Sequence, residues 1–213
     1  MIDSYSRLPV GKYEEIHRID EENTADELDR QARILAVLSG LTVKEIYALP
    51  ITEYKEMVRA SRFLEVRALT DEGNLRYRVA KSYRIGDFTL VPVLDFRKLT
   101  TAQYVDFQTF APQVDTYTAA LLSVLLVPKG KPYNEGYDIE AVQAAIREGL
   151  SVADAAAVIA FFFISSQRLI EDTLNFSAAE ARRAGDKTTA EKITKVRELL
   201  FRISGGGLPT WTP

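Results

Sequence analysis

Apolar positions at helical spacing predict a first clear helix just after an acidic N-terminal segment. Thr24 and Glu27 have the spacing of a capping box, in which each side chain satisfies a backbone N–H group of the first turn. The apolar positions that follow at three- and four-residue intervals are Leu28, Ala32, Leu35 and Leu38. Gly40 is expected to end this helix, because glycine readily adopts the left-handed conformation found after a helix.

Two more helices are expected between Gly40 and residue 66. Thr42 and Glu45 repeat the capping-box spacing and predict a short helix that ends before Pro50. A third helix is predicted over residues 52–64, and its buried side would carry Tyr54, Met57, Val58 and Leu64. Three short helices joined by tight turns would form a small helical subdomain.

Between residues 74 and 96 the apolar period changes from helical to two, which indicates β-strands. Gly86 and Asp87 suit a two-residue hairpin turn, and residues 88–94 would form the returning strand. Pro92 lacks the N–H group that a central strand needs, so this strand is expected to lie at a sheet edge or to end there. On the first strand, one face would carry Arg76, Arg78 and Arg84.

A second helical block is predicted after the hairpin. Thr100 and Gln103 form another capping box, and Pro112 is expected to break the helix that they begin. The apolar run over residues 117–127 predicts a deeply buried helix that Pro128 ends. Further helices are predicted over residues 138–147, from residue 151 through the phenylalanine run at 161–163, over 177–184 and over 188–203.

These elements predict a mainly α, α+β fold, with two helical blocks flanking a small antiparallel β-hairpin. The expected divisions are an acidic N-terminal arm (1–23), an N-terminal helical subdomain (24–66), the β-hairpin (67–98), a C-terminal helical block (99–203) and a flexible tail (204–213). Three consecutive glycines and two prolines oppose a helix in that tail.

The composition excludes several kinds of chemistry. The chain has 213 residues, of which 46% are hydrophobic, and 27 basic against 30 acidic residues give a net charge of -3. This balance is typical of a globular protein and lacks the basic excess of general nucleic-acid binders. With no cysteine and one histidine, His17, the chain cannot form disulfides, a thiolate nucleophile, a zinc finger or a multi-histidine metal site.

No cofactor and no enzymatic activity are therefore expected. The GxGxxG, GxxxxGK[ST] and GxSxG motifs are absent, and only a carboxylate site assembled in space stays open. Asp106, which lies between apolar neighbours in a predicted helix, is expected to make a structural hydrogen bond. His17 is expected to have a surface or packing role, and the adjacent Glu171 and Asp172 to face solvent.

Neither secretion nor membrane insertion is expected from the sequence. The first residues lack the basic lead and apolar run of a signal peptide. The apolar stretches at residues 119–127 and 152–164 fall short of the ~20 residues that cross a bilayer, and they are interpreted as buried core helices. The prediction is a cytoplasmic protein.

Three surfaces are candidates for binding a partner. Eight carboxylates in residues 14–29 form either a solvated face or arm, or a docking surface for a basic partner. The face of Arg76, Arg78 and Arg84 either protects a sheet edge or binds an acidic partner, and nucleic-acid binding with a strong salt dependence is the further alternative for it. Near the C-terminus, the candidate contacts are a heptad-like seam with Ile193, Val196 and Leu200, and the single tryptophan, Trp211. Packing within the chain is the alternative for both.

Several stretches, taken together, resemble the tail assembly chaperones of tailed bacteriophages, which accompany the tape measure protein. These stretches are residues 41–54 (LTVKEIYALPITEY), 99–107 (LTTAQYVDF), 125–128 (LLVP) with the loop 133–137, and the phenylalanine run 161–163. The resemblance spans residues 28–165 and lies in pattern and order. It implies a non-catalytic protein that shields the long apolar helices of the tape measure protein in the host cytoplasm until tail-tube subunits assemble around them.

This resemblance sets the expected partners and one alternative. The partners would be the tape measure protein or other tail and virion proteins, and further copies of this chain, with neither nucleic acid nor a membrane. The alternative is a structural virion component, such as a neck, ring, tail or cargo protein, that stays in the particle. Purified virions would contain a structural component in fixed copy number and would lack a chaperone.

Overall fold

The chain adopts the mainly α, α+β fold that the sequence predicts, and the computed structural model describes residues 1–22, 26–65, 79–189 and 191–195. The helices are α1 (Val10–Glu21), α2 (Glu27–Ser39), α3 (Val43–Tyr47), α4 (Ile51–Ala60), α5 (Thr101–Phe110), α6 (Thr118–Leu125), α7 (Ile139–Gly149) and α8 (Val152–Arg183). The strands are β1 (Tyr83–Ile85), β2 (Phe88–Pro92) and β3 (Leu126–Pro128). Short 3-10 turns cover Ser61–Glu65, Phe96–Lys98 and Ala111–Gln113.

The chain divides into two compact units. The first unit contains Met1–Leu94 and Lys98–Ile159, and therefore the sheet and helices α1 to α7. The second unit contains Asp95–Arg97 and the described residues from Ala160 onward. The division between them falls within α8, inside the block predicted over residues 99–203.

The N-terminal segment is not an arm, which corrects the prediction for residues 1–23. Val10, Tyr13, Ile16 and Ile19 recur at helical spacing along α1, and all four are buried. One face of α1 therefore packs against the core of the first unit, and its acidic residues lie on the other faces. The many charged residues of the segment made the helical spacing of its four apolar positions hard to recognise in the sequence.

Several predicted helix ends are confirmed. Thr42 and Thr100 cap α3 and α5 through complete capping boxes with Glu45 and Gln103. Gly40 follows α2 in the left-handed conformation, with φ 77°. The box predicted for α2 is wrong, because Asp26 is the N-cap and its carboxylate accepts the N–H groups of residues 28 and 29. Thr24 itself lies outside the described residues.

The helical subdomain packs around a small cluster of buried residues, Ala32, Leu35 and Ile46. Tyr54, Met57 and Val58 of α4 lie against this cluster, as predicted, but each stays partly exposed. The third helix is shorter than predicted, because α4 ends at Ala60 and a 3-10 turn continues to Glu65.

The predicted turn and returning strand are found in a three-stranded antiparallel sheet in the order β1-β2-β3. The first strand is shorter than predicted, because β1 begins at Tyr83 and residues 79–82 lie outside it. Gly86, with φ 52°, lies in its turn, and Tyr83 pairs with Leu90. Pro92 is the last residue of β2, as expected, but β2 is the central strand and not an edge. The third strand comes from the apolar run predicted as one helix, because α6 ends at Leu125 and β3 follows directly.

Helix α8 is one continuous helix of 32 residues where the sequence predicted a core helix and a separate helix over residues 177–184. Residues 187–189 and 191–195 are helical, and the Asp186 carboxylate accepts the Thr189 N–H at 2.9 Å at their start. Within the described chain, α8 alone is long and apolar enough to cross a membrane, although 44% of its apolar window is already buried. A core helix of a soluble protein meets the same criterion. The apolar part of α8 is longer than the stretch over residues 152–164 that the sequence indicated.

Candidate interaction surfaces

The acidic segment of residues 14–29 is largely bonded within the chain. Arg30 joins α1 to α2, because its guanidinium lies 2.7 Å from Asp20 Oδ1 and 2.6 Å from Glu27 Oε1. The hydrogen bond to Glu27 and the bond and charge of Asp20 raise the pKa of Arg30. Seven of the eight carboxylates form an ion pair or accept a hydrogen bond within the chain: Glu14 with Arg147, Asp20 and Glu27 with Arg30, Glu21 with Thr116, Glu22 with Arg33, Asp26 with Leu28 N–H and Asp29 with Tyr47. These bonds favour a structural role over a docking surface for a basic partner.

Glu14 has the most consequential position in this network. Its side chain is only 13% exposed, and its two oxygens accept the Ala119 N–H at 2.7 Å and Arg147 Nε at 3.0 Å. Ala119 lies in the first turn of α6, whose N-cap residue, Tyr117, makes no side-chain capping bond. Glu14 therefore caps α6 from a distant helix, where the positive end of the helix dipole favours a carboxylate.

Helix α5 is firmly anchored in the first unit on its inner side. Gln103 is 4% exposed: its Oε1 accepts the Thr100 N–H at 3.0 Å, and its Nε2 donates to the Val124 carbonyl of α6 at 3.1 Å. Phe107, one turn further along, is buried. One buried amide thus both caps α5 and joins it to α6, so the opposite face of α5 has a fixed position.

The outer face of α5 and the turn after it carries no charge. Val105 is 55% exposed and Tyr104 is 46% exposed. The exposed positions of this uncharged α5 face are Thr101, Ala102, Tyr104, Val105, Gln108, Thr109, Pro112, Gln113 and Tyr117. In a chain with 27% charged residues, a helix face with exposed apolar side chains and no charge is a candidate protein-binding surface.

The two carboxylates of this region are partly buried, and each accepts a hydrogen bond from a tyrosine. Asp106 accepts a hydrogen bond from Tyr133 Oη at 2.7 Å, which confirms the structural hydrogen bond predicted for it. Burial, together with that bond to Asp106, raises the pKa of Tyr133. Asp115 accepts a bond from Tyr13 Oη at 2.6 Å and so ties the end of the region to α1.

A second candidate surface is the outer face of the sheet. Arg84 of β1 pairs with Thr89 of β2, and the Lys129 N–H donates to the Thr89 carbonyl at 2.8 Å. Arg84 of β1, Thr89 of β2 and Lys129, the residue directly after β3, are all exposed and lie side by side at one end of the sheet; we call them the basic sheet row. The sequence identified Arg84 only, because Lys129 joins it through a register between strands that are far apart in the chain.

The other predicted contact residues have mixed outcomes. Arg76, Arg78, Val196, Leu200 and Trp211 lie outside the described residues. Ile193 is helical and partly buried. The arginine face and the C-terminal seam therefore stay predictions, except for the exposure of Arg84.

The remaining polar residues singled out in the sequence are His17, Glu171 and Asp172. His17 Nε2 lies 3.4 Å from Glu21 Oε1, one turn along α1. Asp172 is exposed, as predicted, whereas Glu171 is partly buried. Within the described part of the chain, no group of three or more histidine, aspartate or glutamate side chains is placed to hold a metal ion.

Comparisons with known proteins add no relative. No protein-family model matches the chain, no curated protein matches its sequence and no solved structure matches its fold.

Proposed function

We propose that this protein acts by binding another protein, as a tail assembly chaperone that shields an apolar helical segment of a phage tape measure protein. The resemblance in residues 28–165 motivates the choice of partner, and the uncharged α5 face supports the mode of action. A chaperone of this kind needs exposed apolar surface that does not collapse onto its own core. The uncharged α5 face meets that need, with Tyr104 and Val105 about half-exposed on an anchored helix.

In this mechanism α5 serves as a fixed platform. The capping box at Thr100 and the bond from Gln103 to Val124 hold α5 against α6 before any partner arrives. A preformed surface loses little conformational entropy on binding, so more of the contact energy remains for affinity. An apolar helix would lie along Tyr104, Val105 and Gln108, excluding water from both faces.

The direct test is coexpression with the tape measure protein encoded in the same genome. The proposal predicts that the tape measure protein stays soluble and copurifies with this chain, whereas it aggregates when expressed alone. Val105→Glu places a charge in the contact and should lower recovery of the complex roughly tenfold. Thr52→Glu adds the same charge at an exposed site on α4 and should leave recovery unchanged.

Three results would contradict the proposal or its placement on α5. A tape measure protein that is equally insoluble with and without this chain would remove the chaperone role. Detection of this chain in purified particles at a fixed copy number would favour the structural virion component instead. Equal loss of binding for Val105→Glu and Thr52→Glu would show that the contact lies elsewhere than on α5.

A further inference from the structure

The basic sheet row is exposed because the strands alternate strictly between two faces. Tyr83, Ile85 and Leu90 are at most 7% exposed and form the inner face of β1 and β2. Their neighbours in the chain must point outward, since successive side chains of a strand lie on opposite faces. Arg84 and Thr89 therefore extend from the outer face. Lys129 follows the buried Pro128 at the end of β3 and is exposed beside Thr89, to which its N–H donates.

The geometry sets the spacing of the two charges. Adjacent strands lie ~4.8 Å apart, so the backbones at Arg84 and Lys129 are about 10 Å from each other. Lys131 adds a third exposed cation just after β3, where its N–H donates to the Pro128 carbonyl at 3.0 Å. Gly130, with φ 76°, allows this turn, and the Lys131 ammonium lies near Gly136 in the loop that follows.

Several arginines of the first unit pair with carboxylates, and these cations differ from them. Arg30, Arg33 and Arg147 all form ion pairs within the chain. Across the described residues, no ion pair involves Arg84, Lys129 or Lys131. The nearest carboxylates along the chain, Asp87 in the hairpin turn and Glu135 in the loop after β3, are exposed.

An apolar strip adjoins the basic sheet row on the same face. Val91 pairs directly with Val127, and both side chains stay partly exposed. A partner that fits this face therefore combines negative charge with aliphatic side chains. Two parallel features, one charged and one apolar, also fix the orientation of such a partner.

We propose that the outer face of the sheet binds an acidic segment of a partner protein, whose carboxylates pair with Arg84 and Lys129 and whose aliphatic side chains cover Val91 and Val127. This surface is distinct from the uncharged α5 face and does not depend on the identity of the α5 partner. A nucleic acid is the poorer fit, because the chain has a net charge of -3 and α1 and α2 present an acidic surface. The two valines also have no counterpart in a phosphate backbone.

The proposal can be tested with the intact chain and a fluorescent synthetic peptide of glutamate and leucine. The control peptide has serine in place of every glutamate. We expect anisotropy to show binding of the acidic peptide that weakens at about tenfold higher salt, and much weaker binding of the serine peptide. Arg84→Gln/Lys129→Gln should weaken binding of the acidic peptide roughly tenfold, and Lys44→Gln/Lys55→Gln, which loses the same charge on α3 and α4, by less than about twofold.

Thr89→Glu tests the site without removing a basic residue. It places a carboxylate between Arg84 and Lys129, and thermal melting should show that this exposed change leaves the fold intact. The proposal predicts that Thr89→Glu also abolishes the salt-dependent binding. Equal binding of the two peptides, equal loss in the Lys44/Lys55 control, or tighter binding of a DNA oligonucleotide than of the acidic peptide would each overturn it.

Discussion

Removal of the Glu14 carboxylate should strongly destabilise the first unit, although the residue lies in a segment that appears solvated from its sequence. Glu14→Ala leaves the Ala119 N–H without its acceptor at the start of α6 and leaves Arg147 without its partner. A hydrogen bond to a charged group contributes about 1.5–3 kcal/mol, and the helix dipole about 0.3–1 kcal/mol. Arg147 is 44% exposed, so solvent screening limits its pair to at most about 1 kcal/mol.

These contributions overlap, and together they predict a loss of about 3 kcal/mol in the free energy of unfolding. For a domain of this size, that loss lowers Tm by about 6–12 °C. The assay is urea denaturation followed by circular dichroism, with scanning calorimetry for Tm. Glu14→Gln keeps an acceptor without the charge and should lose about 1 kcal/mol.

Two controls separate the capping bond from the ion pair. Glu15→Ala removes an exposed carboxylate from the next position of α1 and should change the unfolding free energy by less than about 0.5 kcal/mol. Arg147→Ala removes the ion pair alone and should cost about 1 kcal/mol. A Glu14→Ala loss no larger than that of Glu15→Ala would refute the capping role, and a loss equal to that of Arg147→Ala would assign the effect to the ion pair.

Three further predictions concern packing, a buried hydrogen bond and pH. Gly149→Ala should lower the free energy of unfolding by about 1–3 kcal/mol in urea denaturation, because a Cβ at this position overlaps Cγ2 of Ile85 on β1. Glu148→Ala at the neighbouring position should be nearly neutral. A Gly149→Ala protein as stable as wild type would disprove the close contact. Tyr133→Phe should lower the free energy of unfolding by about 1–2 kcal/mol, because the half-buried Asp106 carboxylate loses its hydrogen-bond donor. In the control Tyr47→Phe, the 3.4 Å bond that is lost is exposed, so the free energy of unfolding should hardly change. Equal losses in the two variants would contradict the role of burial. Hydrogen bonds from the Thr42 N–H and hydroxyl lower the pKa of Glu45 below its ordinary 4.5, so folding favours the ionised carboxylate. The stabilising effect of the Glu45 carboxylate is therefore complete above pH 4.5 and is lost as the pH falls through the folded-state pKa. The Tm difference between wild type and Glu45→Gln should shrink in acid for this reason. A Tm difference that does not depend on pH would exclude this linkage.

The features that were predictable from sequence depend on neighbours in the chain. The capping boxes at Thr42 and Thr100 span three residues, and the left-handed Gly40 and the Gly86 turn are single-residue requirements. Local hydrogen bonding and backbone sterics decide such features almost independently of the remaining fold. The hydrogen bond of Asp106 was predictable because this polar residue lies between apolar neighbours in a predicted helix.

The features that were missed depend on contacts distant in sequence. All positions of α6 are buried, so the apolar run has no period that shows where helix ends and β3 begins. Glu14 caps a residue 105 positions away, and only the sheet register aligns Lys129 with Arg84. Residues 1–23 resembled an arm because the four buried positions of α1 are outnumbered by the charged residues around them. Such information lies in packing and register and not in any short window of sequence.

The proposed chaperone role is tested most directly by hydrogen–deuterium exchange of the purified chain, alone and bound to the tape measure protein. The account predicts slower exchange on binding in Thr101–Phe110 and in the 3-10 turn Ala111–Gln113, where the partner helix would cover the uncharged α5 face. Peptides from α4 should exchange equally in both states. Unchanged exchange across α5 in a complex that demonstrably forms would contradict the account.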